Sequence, residues 1–294
     1  MSGSDFLTRL AARIRGGAAP AVVGLDPRPD ALPGSLLPGA PAAERILAFY
    51  REVLPVLGPA GIPCVKPNVA FFEAWGSSGY AAYEETCWLA RGAGLLVIGD
   101  VKRGDIGPTA EAYAAGHFRL ADALTLHPYL GRDSLDPFLW HCRRNGGPGK
   151  AVFVLVRTSN PGASDFQDLD CGGRSLSRVV AEAVRTWNED FEPVEGYGPV
   201  GAVVGATWPE ELLGLRRAMP RSWILIPGVG AQGGKVEDLS AAFDARGFGA
   251  LVNQSRGILQ CFEPGSAEWL DEIREAARGF ARACRRAAGL GGTP

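Results

Sequence analysis

The segment Asp100-Val101-Lys102-Arg103-Gly104-Asp105 sets two carboxylates and an ammonium group at the end of the apolar run Leu95-Leu96-Val97-Ile98-Gly99. Such a run reads as a buried strand, and charges at its end must be paired or functional, because an isolated buried charge is costly. Asp100 and Lys102 are two residues apart, so strand alternation predicts that they share a face. Asp105 lies beyond Gly104, where the chain has left the strand, and its carboxylate can face another way. A lysine held beside a carboxylate can stabilise developing negative charge and deliver a proton. The alternative is a surface ion pair. The elements around the segment decide between the two.

Short apolar, β-branched runs recur at 21–25, 62–65, 95–99, 123–126, 151–156, 200–204, 223–226 and 249–252. Helix-period segments lie between them at 42–57, 80–91, 108–118, 135–144, 176–188, 209–217 and 236–245, and a last helix runs from 267 to about 288. Eight alternating units predict a parallel sheet with helical crossovers, closed into a (β/α)₈ TIM barrel. The near-continuous apolar strands fit burial on both faces. A length of 294 residues suits one such barrel, which typically takes about 250 residues. The expected organisation is a single catalytic domain over 1–288, an extra N-terminal helix over 6–14 and a disordered tail over 289–294.

The strand ends share a pattern. They reach Asp26, Lys66, Asp100 with Lys102, His127, Thr158-Ser159-Asn160, Thr207, the glycine-rich Pro227-Gly228-Val229-Gly230-Ala231-Gln232-Gly233, and Asn253-Gln254-Ser255-Arg256. Polar residues therefore gather at the carboxyl ends of the strands, the face where barrel enzymes place their chemistry. Surface ion pairs would not line up this way. Lys66 precedes Pro67 and needs a carboxylate nearby, which Asp100 of the adjacent strand supplies. Asp26 suits a hydrogen bond to a polyol, and Ser159 a contact to a polar ring edge. His127, before Pro128, reads as a satisfied loop histidine. The loop over 160–173 is long enough to be a lid, and the loop over 27–41 is rich in Pro and Gly. Gly228, Gly230 and Gly233 match a dinucleotide fingerprint, but they lie after the seventh strand, and the next strand ends without an acid for a ribose hydroxyl. The better expectation is a phosphate site after strands seven and eight. There Gly230 opens the backbone to an anion, Gln232 adds a donor, and Arg256, after Ser255, supplies a bidentate fork.

Composition narrows the classes further. A formal net charge of −2 without a basic stripe argues against nucleic acid as a partner. No apolar stretch approaches the roughly 18 residues of a membrane span, and the first residues lack a signal-peptide core, so a cytoplasmic location is expected. Six cysteines without CxxC spacing and three histidines without HxxxH do not make a zinc site.

The chain resembles the orotidine 5′-phosphate decarboxylase family in its longer bacterial form, over nearly its whole length from the N-terminal helix to Arg256. The most specific part is Asp100-Val-Lys102-Arg-Gly-Asp105-Ile-Gly-Pro-Thr109, which matches the family's DxKxxDIxxT signature. Lys66 after strand two and the glycine-rich segment after strand seven also match. The resemblance implies a (β/α)₈ homodimer that uses no metal or organic cofactor. It implies that Lys66, Asp100, Lys102 and Asp105 form a network of alternating charge, with Asp105 donated by the other subunit. Asp26 and Thr109 would contact the ribose, Thr109 again from across the dimer, Ser159 the pyrimidine, and Gly230, Gln232, Ser255 and Arg256 the phosphate region. Gln254 departs from the small residue that many relatives carry there, which affects a backbone contact. The implied reaction converts orotidine 5′-monophosphate to UMP, the last step of de novo pyrimidine nucleotide synthesis, with Lys102 stabilising and protonating a C6 carbanion. Two alternatives stand beside it. One is a Mg²⁺-dependent sugar-phosphate decarboxylase or aldolase of the same barrel superfamily, which shares DxKxxD but carries an acidic metal ligand where this chain has Lys66. The other is a non-catalytic nucleotide-binding dimer.

Overall fold

The computed structural model describes residues 5–145, 147–230 and 233–291. Eight strands, β1 (Ala21–Leu25), β2 (Cys64–Pro67), β3 (Leu96–Arg103), β4 (Ala123–Leu126), β5 (Ala151–Arg157), β6 (Gly198–Val204), β7 (Ser222–Ile226) and β8 (Ala250–Gln254), form a closed parallel barrel in chain order. The seam pairs β1 with β8, Ala21 lying opposite Val252. The (β/α)₈ expectation holds.

Helices enclose this barrel in chain order: α1 (Phe6–Arg15), α2 (Ala42–Leu57), α3 (Val69–Glu73), α4 (Gly76–Gly92), α5 (Gly107–Leu120), α6 (Asp136–His141), α7 (Ser164–Gln167), α8 (Leu176–Asn188), α9 (Pro209–Ala218), α10 (Arg256–Leu259) and α11 (Trp269–Ala287). Alternation along the strands serves two cores at once. Val23, Val65, Val97 and Val252 face outward into the layer shared with the helices. Val22, Cys64, Leu96, Ile98 and Leu251 point inward, where Phe153 and Trp223 fill the lower barrel. Both faces of each strand are thus buried, the environment that near-continuous apolar strands require.

Helix α1 closes the amino-terminal end of the barrel. Asp5 caps it by accepting the Thr8 N–H at 2.9 Å. Its apolar stripe, Phe6, Leu7, Leu10, Ala11 and Ile14, packs on the inward-facing cluster. Arg9 fixes the orientation through a 2.9 Å ion pair with Asp122, whose second carboxylate oxygen accepts the Val97 N–H at 2.9 Å.

Several boundaries differ from the sequence expectation. The 236–245 segment is a 3₁₀ helix over Val236–Ala242 rather than an α-helix. Its buried residues, Val236, Leu239 and Ala242, recur every third position, the period of the tighter helix. Helix α6 stops at His141, short of the expected 144. Asn68 caps the unanticipated α3 through the Ala70 N–H. In the segment expected as the tail, Leu290 packs against the inner cluster, and residues 292–294 lie outside those described.

Gly201 on β6 exposes how tightly the barrel interior is filled. A Cβ there would stand 2.7 Å from both Phe153 Cδ1 and the Trp223 carbonyl oxygen, a contact with backbone that cannot rotate away. Gly201→Ala should therefore destabilise the fold by about 1–3 kcal/mol. Thermal unfolding measures this, and an unchanged midpoint would show that the interior yields.

Candidate active site

The carboxyl ends of β1, β2 and β3 stand side by side, with Gly24 opposite Lys66 and Asn68 bridged to Asp100. This register brings Lys66 Nζ to 2.5 Å from Asp100 Oδ2. Lys102 Nζ lies 2.6 Å from Asp100 Oδ1, which also accepts the Thr125 hydroxyl of β4 at 2.9 Å. One carboxylate thus holds two ammonium groups and a hydroxyl. Lys66 and Asp100 are buried, whereas the Lys102 side chain remains 45% exposed.

Protonation states follow from these contacts. Burial alone would raise the Asp100 pKa, but Lys66 and Lys102 outweigh it and hold the carboxyl well below the usual carboxylate range. Burial would likewise lower Lys66. The charges of Asp100 and Asp26, with the Asp100 hydrogen bond, reverse this and raise its pKa. Asp100 is ionised and Lys66 protonated at neutral pH.

Asp100 and Lys102 meet, as expected, but alternation is not the reason. Gly99 pairs with Leu124 and Arg103 with Leu126, so β3 advances four residues while β4 advances two. The surplus forms a bulge in which Lys102 adopts a left-handed φ of 44°, unusual for a residue with a side chain. The bulge, not the pleat, turns the lysine back onto the carboxylate.

Lys66, Asp100, Lys102, Thr125, His127 and Ser159 line a cavity of about 980 Å³ at this end of the barrel, within the range of small-ligand sites. Leu155, Val203 and Leu225, from β5, β6 and β7, supply apolar wall. The 160–173 loop carries structure of its own, including α7, and Phe166 and Gln167 from it also line the cavity. Gln167 exchanges two 2.8 Å hydrogen bonds with Thr158, accepting its N–H and donating to its hydroxyl. Beneath it, the buried Arg157 pairs with Asp168 at 2.8 Å and Glu211 at 3.1 Å, its guanidinium 4.2 Å from the Trp208 ring centre.

The remaining expected residues flank this cavity. Asp26, after β1, is half-buried, and its Oδ1 takes no hydrogen bond from the described residues. Gly228 and Gly230 have φ of 96° and 77°, conformations that favour glycine. The Gly230 N–H donates to the Gly234 carbonyl at 2.9 Å, so it is already engaged within the loop. Gln232 lies outside the described residues. Ser255 precedes α10, and the exposed Arg256 opens it. Gln254 extends its amide nitrogen between the loops, where a Cβ on Gly230 or Gly257 would lie 2.9 or 2.5 Å away. Asp105 and Thr109 are absent from the cavity wall of their own chain. Asp105 accepts the Ile106 N–H at 2.8 Å, and Thr109 is exposed in the first turn of α5.

Two residues at this site carried no recognisable signal. Thr125 looks like an ordinary β-branched strand residue. Arg157 interrupts an apolar run, but its partners lie 11 and 54 positions away.

Comparison with known proteins bears on this geometry. Residues 22–267 match the family described as Orotidine 5′-phosphate decarboxylase / HUMPS family. The chain is 43% identical to an orotidine 5′-phosphate decarboxylase of Rhodopirellula baltica, covering 92% of this chain and 96% of that protein. It is 49% identical to another from Deinococcus radiodurans, over 66% of this chain and 70% of that one. The solved structure of Leishmania donovani OMP decarboxylase superposes with a TM-score of 0.78 at 34% identity, covering 97% of this chain and 99% of that one.

The ion pair predicts a stability effect. Asp100→Asn leaves the enclosed Lys66 ammonium without its nearest counter-charge, and breaking a buried pair in this way costs about 3 kcal/mol or more. Chemical denaturation of the variant measures it. Unaltered stability would mean that Asp26 alone compensates Lys66.

Proposed function

The chain belongs to the Orotidine 5′-phosphate decarboxylase / HUMPS family, and from that membership and the charge arrangement we infer that it converts orotidine 5′-monophosphate to UMP in pyrimidine synthesis. The observation that carries the assignment of roles is the unequal exposure of the two lysines on one carboxylate: Lys66 is enclosed, and Lys102 opens to the cavity.

The reaction breaks the bond between C6 of the pyrimidine and its carboxylate. CO₂ leaves, and the electron pair stays at C6 in an sp² orbital orthogonal to the ring π system, where delocalisation helps little. Stabilisation must therefore be electrostatic. Lys102, as the reachable ammonium, faces the developing charge and then transfers a proton to C6, regaining one from water afterwards. Asp100 orients it, and Lys66 fixes Asp100. Ser159, which lines the cavity, is assigned to the ring edge, and Asp26, whose Oδ1 takes no hydrogen bond from the described residues, to a ribose hydroxyl. Gly230, Gln232, Ser255 and Arg256 are assigned to the phosphate, whose remote binding contributes to lowering the barrier.

A homodimer completes this proposal. Asp105 and Thr109 lie outside the cavity of their own chain, and beside them Ile106 is 56% exposed, with Tyr129 and Leu130 on the next loop 90% and 49% exposed. An apolar edge of this kind suits a second copy, to whose site Asp105 and Thr109 would then be delivered. Among the described residues, no helix is long and apolar enough to cross a membrane. The six cysteines are all unpaired, which fits work in the reducing cytoplasm. A Mg²⁺-dependent reaction of the same superfamily fits less well, because the Lys66 ammonium stands where a metal ligand would be needed.

Purified protein treated with EDTA should deplete orotidine 5′-monophosphate absorbance without added metal. Activity that EDTA abolishes and Mg²⁺ restores would overturn the assignment. Lys102→Ala should lower kcat by at least about 10²–10⁴-fold while UMP still binds, and near-normal turnover would remove Lys102 from its role.

Donation across the interface has its own test. Inactive Lys102→Ala and Asp105→Ala chains, mixed and allowed to exchange, should regain activity, since one site of each mixed dimer then holds both residues. Verified exchange without recovery would refute the shared site.

A further inference from the structure

We propose that Thr125 is a positioning residue for the decarboxylation, holding the β3 bulge in the shape that presents Lys102 to the cavity. The inference rests on the function assigned above and concerns a side chain outside the charge network.

The argument begins with backbone accounting. Where β3 advances four residues against two of β4, the ladder cannot satisfy every β3 amide, and a buried N–H without a partner is costly. The Thr125 hydroxyl resolves the deficit. It accepts the Val101 N–H at 3.1 Å and the Lys102 N–H at 3.0 Å. Its own proton goes to Asp100 Oδ1 at 2.9 Å, the oxygen that also takes the Lys102 ammonium at 2.6 Å. One oxygen therefore fixes the backbone of Lys102 at one end and the acceptor of its side chain at the other.

The geometry leaves little substitute. Thr125 is buried, and its neighbours Leu124 and Leu126 point outward into the helix layer. Lys102 sits at a φ of 44°, a conformation that persists only where surrounding contacts impose it. The two amide bonds from Thr125 are such contacts. Without them the bulge is free to relax toward regular strand, carrying Lys102 away from Asp100. Small displacements of a reacting group lower rates far more than they lower binding.

The test compares Thr125→Val, which keeps shape and loses the hydroxyl, with Thr125→Ser, which keeps the hydroxyl. For Thr125→Val, kcat should fall about 10- to 100-fold, with UMP affinity within about 3-fold of the wild type. Thr125→Ser should recover most of kcat. A Val variant with unchanged kcat, a Ser variant no better than Val, or a kcat loss matched by an equal loss of UMP affinity would each overturn the proposal. Should the Val chain fail to fold, Thr125→Ala, with room for water at the two amides, takes its place against Ser. Wild-type protein without turnover would instead refute the assigned reaction. A crystal structure of the Val or Ala variant gives a readout independent of turnover. Displacement of Lys102 from Asp100 supports the positioning role, and an unaltered bulge with the 2.6 Å contact retained refutes it.

Discussion

The carboxylate of Asp100 is the point on which the site depends. A buried anion must be compensated, and three groups from three strands do so: Lys66 from β2, Lys102 from its own β3 and Thr125 from β4. Each of those groups is constrained in return. Lys66 is held charged in an enclosed position chiefly by this partner, and Lys102 could not hold its backbone conformation on a regular strand. The requirement to satisfy one anion therefore shapes the tops of three adjacent strands.

In the proposed reaction, that arrangement is what lets a chain with no electron sink among its own side chains support formation of a carbanion. Two ammonium groups separated by one carboxylate form a row of alternating charge that is fixed before substrate arrives. The inner lysine is locked in place, and the outer one is left open to the cavity. Preorganised charge of this kind needs no rearrangement during the reaction and acts most strongly in a site from which water is displaced. The apolar walls from β5, β6 and β7 and the structured segment around α7 reduce the water available to the network.

Much of this was legible in the chain. Short, near-continuous apolar runs marked the strands because both faces of each are buried, and the polar residue after each run marked the mouth. The signal at 236–245 was present too, since Val236, Leu239 and Ala242 recur at intervals of three, the spacing of a 3₁₀ helix. Thr125 was illegible for a definite reason. Its role exists only because β3 and β4 differ in length across one stretch, and register between strands is a tertiary property. The same applies to Lys102, whose meeting with Asp100 follows from local dihedrals that no periodicity encodes. Asp105 and Thr109 pose a different limit, as the neighbourhood proposed for them lies on a second chain.

The seam between β1 and β8 has a further consequence. It joins Ala21 to Val252, so this strand pair links nearly opposite ends of the sequence and is the contact with the largest loop-closure entropy in the barrel. Until it forms, β1 and β8 present two open edges, a state prone to self-association. The charged lysines lie on β2 and β3, while the glycine-rich loop and Arg256 follow β7 and β8. A half-formed barrel thus holds one set without the other, and recovery of turnover during refolding becomes a clock for ring closure.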